Sequence, residues 1–298
     1  MMVKMPRSLT GLMIVLVGVM WGLNWPSVKF MLAEVPPLTL RAGGFSAAAL
    51  LLSAIALAVG QSMRPAKGEA VSLVLTSLFV LFGFNMLTAM GQLFTPASNA
   101  ALIAYTMPSL TAVLSVVFLG EVLHRRLVLA IGIGLAGLMV LASANLPALL
   151  AQPLGPAIML GAALSWSIGN ILMQLRKWTL HPLARTAWFF IIAAILTWPL
   201  VFVFEPLNGF SMPSAASLWV FAFHVCGPLV ACYVLWTVLL SRLSATVAAI
   251  STLIAPVVGV LSSVILLGDE LSWQKGLALV LIVASIVMTL LKPTQKRT

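Results

Sequence analysis

Ten apolar runs, at about 9–29, 38–59, 71–92, 97–119, 127–145, 155–175, 184–204, 216–240, 245–267 and 274–291, take up most of the 298-residue chain. Each is long enough to cross a hydrocarbon core of roughly 30 Å as an α-helix. The connections leave no room for a soluble domain, because only 60–70, 145–154 and 205–215 exceed a tight turn. With 62% hydrophobic and 7% charged residues, the chain cannot cover a water-facing surface. The fold class read from this pattern is all-α integral membrane. Lys4 and Arg7 precede an apolar stretch, as in a signal peptide, but that stretch is too long and lacks an A-x-A cleavage site. It is read as a retained first span.

The chain also repeats itself. The segment 97–123 recurs 148 positions later at 245–271, so that Ala97, Ala100, Ala101, Pro108, Gly120 and Leu123 fall on Ala245, Ala248, Ala249, Pro256, Gly268 and Leu271. A weaker echo sets VMWGLN (19–24) over SWSIGN (165–170) and LRA (40–42) near ART (184–186). Five spans per half force the second copy to run through the bilayer in the opposite sense to the first. The expectation is therefore ten transmembrane helices as two inverted five-helix repeats, 9–145 and 154–292, around a central cavity. Repeats of this kind place a transport site where the halves meet.

Charge placement gives the orientation. With the N-terminus inside, 13 of the 16 basic residues are cytoplasmic, and Lys29, Arg41 and Lys275 are left outside. That bias predicts a multi-pass protein of the bacterial inner (plasma) membrane with both termini cytoplasmic. It turns GEVLHRR (120–126) inward and its partner GDELSWQ (268–274) outward, each with the charges its side demands. The net charge of +10 then serves topology and contact with anionic membrane lipid. Nucleic acid is not an expected partner, because no basic residues gather on a soluble face. Cys226 and Cys232 share one apolar span and imply neither a disulfide framework nor a metal site, and no cofactor is expected.

Polar side chains at mid-span are costly unless they face protein, water or ligand, so they are the binding candidates. Trp21 and Asn24 share a helical face beside Pro26, and Trp166, Asn170 and Gln174 form an i, i+4, i+8 stripe. Asn85, Thr88 and Gln92 share another face, as do Ser98 and Tyr105. His224, Tyr233 and Trp236 surround the Gly227-Pro228 break, which frees backbone carbonyls. Amides and broken helix ends suit the polar head of a zwitterion, ring faces suit its tail, and the same rings attract an organic cation. The bland readings stand beside these. Tryptophans pack or anchor at interfaces, amides bond across helices, and a lone histidine donates to a carbonyl. Pro26, Pro108, Pro228 and Pro256 read as kinks or hinges. Arg41 and Arg185, at opposite ends of their spans, either snorkel or guard an entrance and attract a carboxylate.

The motifs WGLNWPSVK (21–29), PLTLR (37–41) and Pro108 followed by FLGE (118–121), loosely repeated in the second half, resemble the EamA-type members of the drug/metabolite transporter superfamily. The resemblance covers about 11–142 and 155–290. Within the superfamily the chain is most similar to YddG-type exporters of aromatic amino acids, which are also associated with methyl viologen efflux. The resemblance implies a basket of ten helices whose cavity opens alternately to each side. It also implies a secondary transporter that exports amino acids, aromatic ones included, with organic cations such as methyl viologen as further cargo.

The alternatives are a carrier of another small solute (a nucleoside, nucleotide sugar or drug) and a non-transporting membrane scaffold. A nucleotide-sugar carrier should set several Lys or Arg against phosphates inside the cavity, whereas the basic residues here sit at span ends. A scaffold needs no matched polar faces at mid-span. An enzyme is not expected, since Asp269 is the only Asp, the three histidines lack an H-E-x-x-H context and no P-loop occurs. No Asp or Glu lies deep in a span, and His224 is the mid-span group that titrates near neutrality. Facilitated or weakly coupled exchange follows.

Overall fold

The computed structural model describes residues 7–94, 103–143, 151–205, 212–267 and 272–290, and every regular element among them is helical. The chain runs through α1 (Arg7–Met31) and α2 (Pro37–Ala58). Next, α3 (Glu69–Ser77) passes through a π-helical segment, Leu78–Gly83, into α4 (Phe84–Phe94). After α5 (Met107–Leu119) and α6 (Arg125–Ser143) come α7 (Leu154–Leu175) and α8 (Pro182–Phe204). Then α9 (Ala215–His224) enters a second π segment, Val225–Ala231, and continues as α10 (Cys232–Arg242), followed by α11 (Ala245–Ser251), α12 (Ile254–Leu267) and α13 (Trp273–Leu290).

Among the described residues, six stretches are long and apolar enough to cross a membrane: Ser8–Val28, Pro37–Ala58, Glu69–Gly91, Leu154–Leu175, Pro182–Phe204 and Ala215–Arg242. Shorter apolar helices are Met107–Leu119, Ala245–Gly259 and Trp273–Thr289. The third and eighth apolar runs of the sequence are therefore not uniform α-helices, because each carries a π segment. The ninth is broken at Thr252–Leu253, and a matching turn at Tyr105–Thr106 precedes α5. Proline sets several starts: Pro37 and Pro182 open α2 and α8, and Pro108 lies in the first turn of α5. A missing N–H costs nothing there, and the fixed φ is already helical.

Packing joins the two halves of the sequence. Helix α2 lies against α8, α6 against α13, α4 against α7, and α1 against α12. Small residues allow the approach. A Cβ on Gly169 in α7 would come within 2.6 Å of the Val80 backbone nitrogen in the first π segment. One on Gly22 in α1 would meet the Ala255 carbonyl oxygen at 2.8 Å. Gly132, by contrast, faces open space, so it is not among the residues that let helices touch.

Four carboxylates stitch the halves at the helix ends. Glu205 accepts the Leu38 and Thr39 N–H groups at 2.8 and 2.7 Å, satisfying orphan donors in the first turn of α2. Glu34 accepts the N–H and hydroxyl of Ser214, the residue that caps α9. These two lie at one end of the bundle. At the other, Glu69 accepts from the Thr179 N–H and hydroxyl ahead of α8. There too, Glu121 accepts from the Ala245 N–H at the start of α11. Gly120, at φ +64, lets the Glu121 N–H turn back to the Ser115 carbonyl and swings this carboxylate toward α11. Each pair links a residue before 143 to one after 151.

Candidate functional site

The π segments fix the centre of the molecule. A π turn and a proline both leave backbone carbonyls without their usual donors, and in a membrane interior such groups must find others. Side chains supply them. The Trp21 indole N–H donates to the Pro228 carbonyl at 3.1 Å, the Asn85 amide donates to Leu81 O at 2.7 Å, and the Ser165 hydroxyl donates to Phe79 O at 2.7 Å. Thus α1, α4 and α7 are pinned to the two irregular segments, and a cavity of about 250 Å³ lies among them.

Rings form one wall and the floor. Trp21 meets Trp166 edge-on, with centroids 5.4 Å apart and planes at 80°, and meets Tyr233 at 5.6 Å and 70°. Phe84 tilts against Trp166 at 5.1 Å. Trp236 packs beneath, 5.5 Å from Trp21 and 6.0 Å from Trp166. Each such pair contributes about 0.5–1.5 kcal/mol beyond its buried area, so the cluster is a firm base. Val28 and Leu32 in the last turn of α1 and beyond it, with Arg41 in the second turn of α2, carry the cavity toward the end where α1 passes into α2.

The polar lining is held in fixed orientations. The Asn24 amide oxygen pairs with His224 Nδ1 at 2.6 Å, leaving the Asn24 NH₂ group for the cavity. Tyr105 accepts the Trp25 indole N–H at 2.8 Å, which leaves the phenolic proton free to donate. Thr88 donates to the Asn85 carbonyl at 2.9 Å.

Of the residues singled out by the sequence, Trp21, Asn24, Asn85, Thr88, Tyr105, Trp166, Tyr233, Pro228 and Arg41 line this cavity. Others lie behind it. His224, 1% exposed, orients Asn24 rather than facing the space, and Trp236 donates to the fully buried Asn170 at 2.9 Å. Gln174 is placed elsewhere and donates to the Leu243 carbonyl near the opposite end of the bundle. The Gln92 side chain and Ser98 lie outside the described residues. Arg185 is not at the cavity: it donates to the Thr237 carbonyl at 3.3 Å and lies 5.3 Å from the Trp178 ring. Helix α1 runs through Pro26 unbroken, while Pro108 and Pro256 fall two and three residues after the turns at 105–106 and 252–253.

Sequence reasoning missed Trp25, Phe84, Met107, Leu229 and Thr252, which also line the cavity. One signal was present: Trp21, Trp25, Val28 and Leu32 follow a 4-3-4 spacing that keeps them on one face of α1. Phe84 and Leu229 gave none, because an apolar residue in an apolar helix has no distinguishing mark.

The chain matches known proteins along nearly its whole length. At 27% identity it aligns with the Uncharacterized transporter YvbV of Bacillus subtilis, covering 96% of this chain and 93% of that one. A Probable amino-acid metabolite efflux pump of Salmonella typhimurium is 29% identical, with 97% of each chain covered. The Escherichia coli protein of the same description is 28% identical, with 93% of each covered. A crystal structure 22% identical in sequence superposes with a TM-score of 0.79 over 96% of this chain and 98% of its own, which shows a shared fold. The model of the EamA-like transporter family matches 9–143 and 153–291, one match on each side of the cavity-forming interface. This helical membrane protein is a transporter rather than an enzyme, and it belongs to the EamA-like transporter family.

Proposed function

We propose that the chain exports amino acids, aromatic ones included, by alternating access between two inverted five-helix halves, 9–145 and 154–292. The observation that carries this reading is the meeting of Trp21 from the first half with Trp166 and Tyr233 from the second, on the wall of one cavity. Ring edges and faces there suit an aromatic side chain, and the Asn24 amide, the Tyr105 hydroxyl and Arg41 suit its polar head. The amino-acid class is supported by the description of the Salmonella and Escherichia coli relatives as amino-acid metabolite efflux pumps. The YddG-like preference for aromatic cargo rests on the rings.

Alternating access gives the end contacts a role. With both termini cytoplasmic, the cavity opens toward the outer side, and the inner side is held shut. Glu121 grips the start of α11, Ser115 and Thr246 share a hydrogen bond at 2.8 Å, and Gln174 holds the Leu243 carbonyl. Inward opening requires these bonds to part, and the turns before Pro108 and Pro256 are where the fourth and ninth spans bend. A carrier of the inner membrane is favoured over a scaffold, since a scaffold has no use for a polar-lined cavity.

Purified protein in liposomes preloaded with unlabelled amino acid is expected to take up labelled phenylalanine or tryptophan by exchange. Folded protein that moves none of a panel of labelled amino acids would overturn the reading.

A further inference from the structure

We propose that Arg41 makes a carboxylate a condition of passage, so that zwitterionic and anionic solutes are accepted and permanent organic dications are refused. This inference rests on the reading of the cavity as the transport site. Aromatic walls alone attract cations, and a site built from Trp21, Trp166 and Tyr233 without a counter-charge would favour them. Arg41 reverses that balance. Arg41 lines the same cavity, and among the described residues no carboxylate does.

Among the described residues, the acids are engaged elsewhere. Glu34 is held by Ser214, Glu69 by Thr179, Glu121 by Ala245 and Thr246, and Glu205 by Leu38 and Thr39. The remaining polar lining adds to the same sign. His224 occupies the Asn24 oxygen and leaves N–H groups, while the Trp25 indole occupies the Tyr105 oxygen and leaves its O–H. The cavity is therefore rich in donors and carries a positive charge with no carboxylate among its described lining residues. A carboxylate takes a planar, paired hydrogen bond from a guanidinium, whereas a dication is repelled by it. Arg185, the counterpart at the other end, is tied to the Thr237 carbonyl and the Trp178 ring, so among the described residues Arg41 is the cation that lines the cavity.

The test compares three probes in liposomes holding the full-length protein: phenylalanine, phenylalanine amide and methyl viologen, each as a competitor of labelled phenylalanine uptake. Amide and dication are expected to compete at least about tenfold more weakly than phenylalanine itself, as for ligands lacking the group a site is built to bond. Arg41→Gln should raise the half-saturating phenylalanine concentration by about tenfold or more without weakening competition by the amide or methyl viologen, and Arg41→Lys should recover part of the loss. Thermal unfolding in detergent checks that the variants fold; the wild-type panel decides the matter if they do not. Amide or methyl viologen competing as well as phenylalanine would overturn the role of Arg41 and leave amino-acid transport standing. Failure of the wild-type protein to move phenylalanine or any other amino acid would overturn both.

Discussion

Glu121 and Thr246, 125 residues apart in sequence, are joined by a hydrogen bond of 2.8 Å from the Thr246 hydroxyl to a carboxylate oxygen. The other oxygen takes the Ala245 N–H at 2.7 Å, so a single side chain both caps α11 and ties it to the loop after α5. Hydrogen bonds to charged groups contribute about 1.5–3 kcal/mol each at most. Glu121→Ala should therefore destabilise the protein by about 1–3 kcal/mol, read as a lower unfolding temperature in detergent. An unchanged temperature would mean that the contact does not hold this end closed.

Two glycines make a paired prediction. Gly169→Ala drives a methyl into the Val80 backbone and should cost about 1–3 kcal/mol, because backbone cannot step aside. Gly132 faces open space, so Gly132→Ala should be neutral or stabilise by up to about 1 kcal/mol through helix propensity. Thermal unfolding of both variants checks the contrast; equal losses would contradict the close approach of α7 to the first π segment.

Glu34 lies in the connection between α1 and α2, and the Ser214 N–H and then the Ser214 hydroxyl hold its carboxyl below its ordinary value of 4.5. A lowered folded-state value means a contribution that is present above the ordinary value and lost as the pH falls through the lowered one. The stability difference between wild type and Glu34→Gln should thus be constant near neutrality and disappear in acid below the ordinary carboxylate range. A difference that grew as the pH fell would contradict the assigned partners.

No carboxylate among the described residues lines the cavity, and the acids nearest the helix ends are already bonded. Exchange of amino acids across liposomes should therefore proceed with equal pH on both sides. Flux that stays at zero until a pH gradient is applied would show obligatory proton coupling.

Much of this was legible in the sequence, and the reasons are physical. Helix positions follow from the apolar runs because a bilayer demands about twenty such residues. Trp21, Asn24, Asn85, Tyr105, Trp166 and Tyr233 stood out because polar and amphipathic groups at mid-span need a reason to be there. Depth does not give direction, however. His224, Asn170 and Trp236 have the same sequence signature as cavity residues, yet they bond to Asn24 or to one another behind the wall. The two arginines were equivalent by repeat, and only tertiary contacts separate Arg41 in the cavity from Arg185 beside Trp178. The π segments left no mark in composition. Nor did the four glutamates announce that each would reach across to the other half, because a capping carboxylate and its orphan N–H groups are distant in sequence.

Trp21 and Trp166, one from each half, are expected to act as a single aromatic binding surface. The most direct measurement is uptake of labelled phenylalanine into liposomes by wild type, Trp21→Ala and Trp166→Ala, each verified as folded. Saturable uptake by wild type, with a half-saturating concentration raised by about tenfold in both variants, is the expected result. Wild-type uptake no greater than that of empty liposomes, or uptake that neither variant alters, would contradict it.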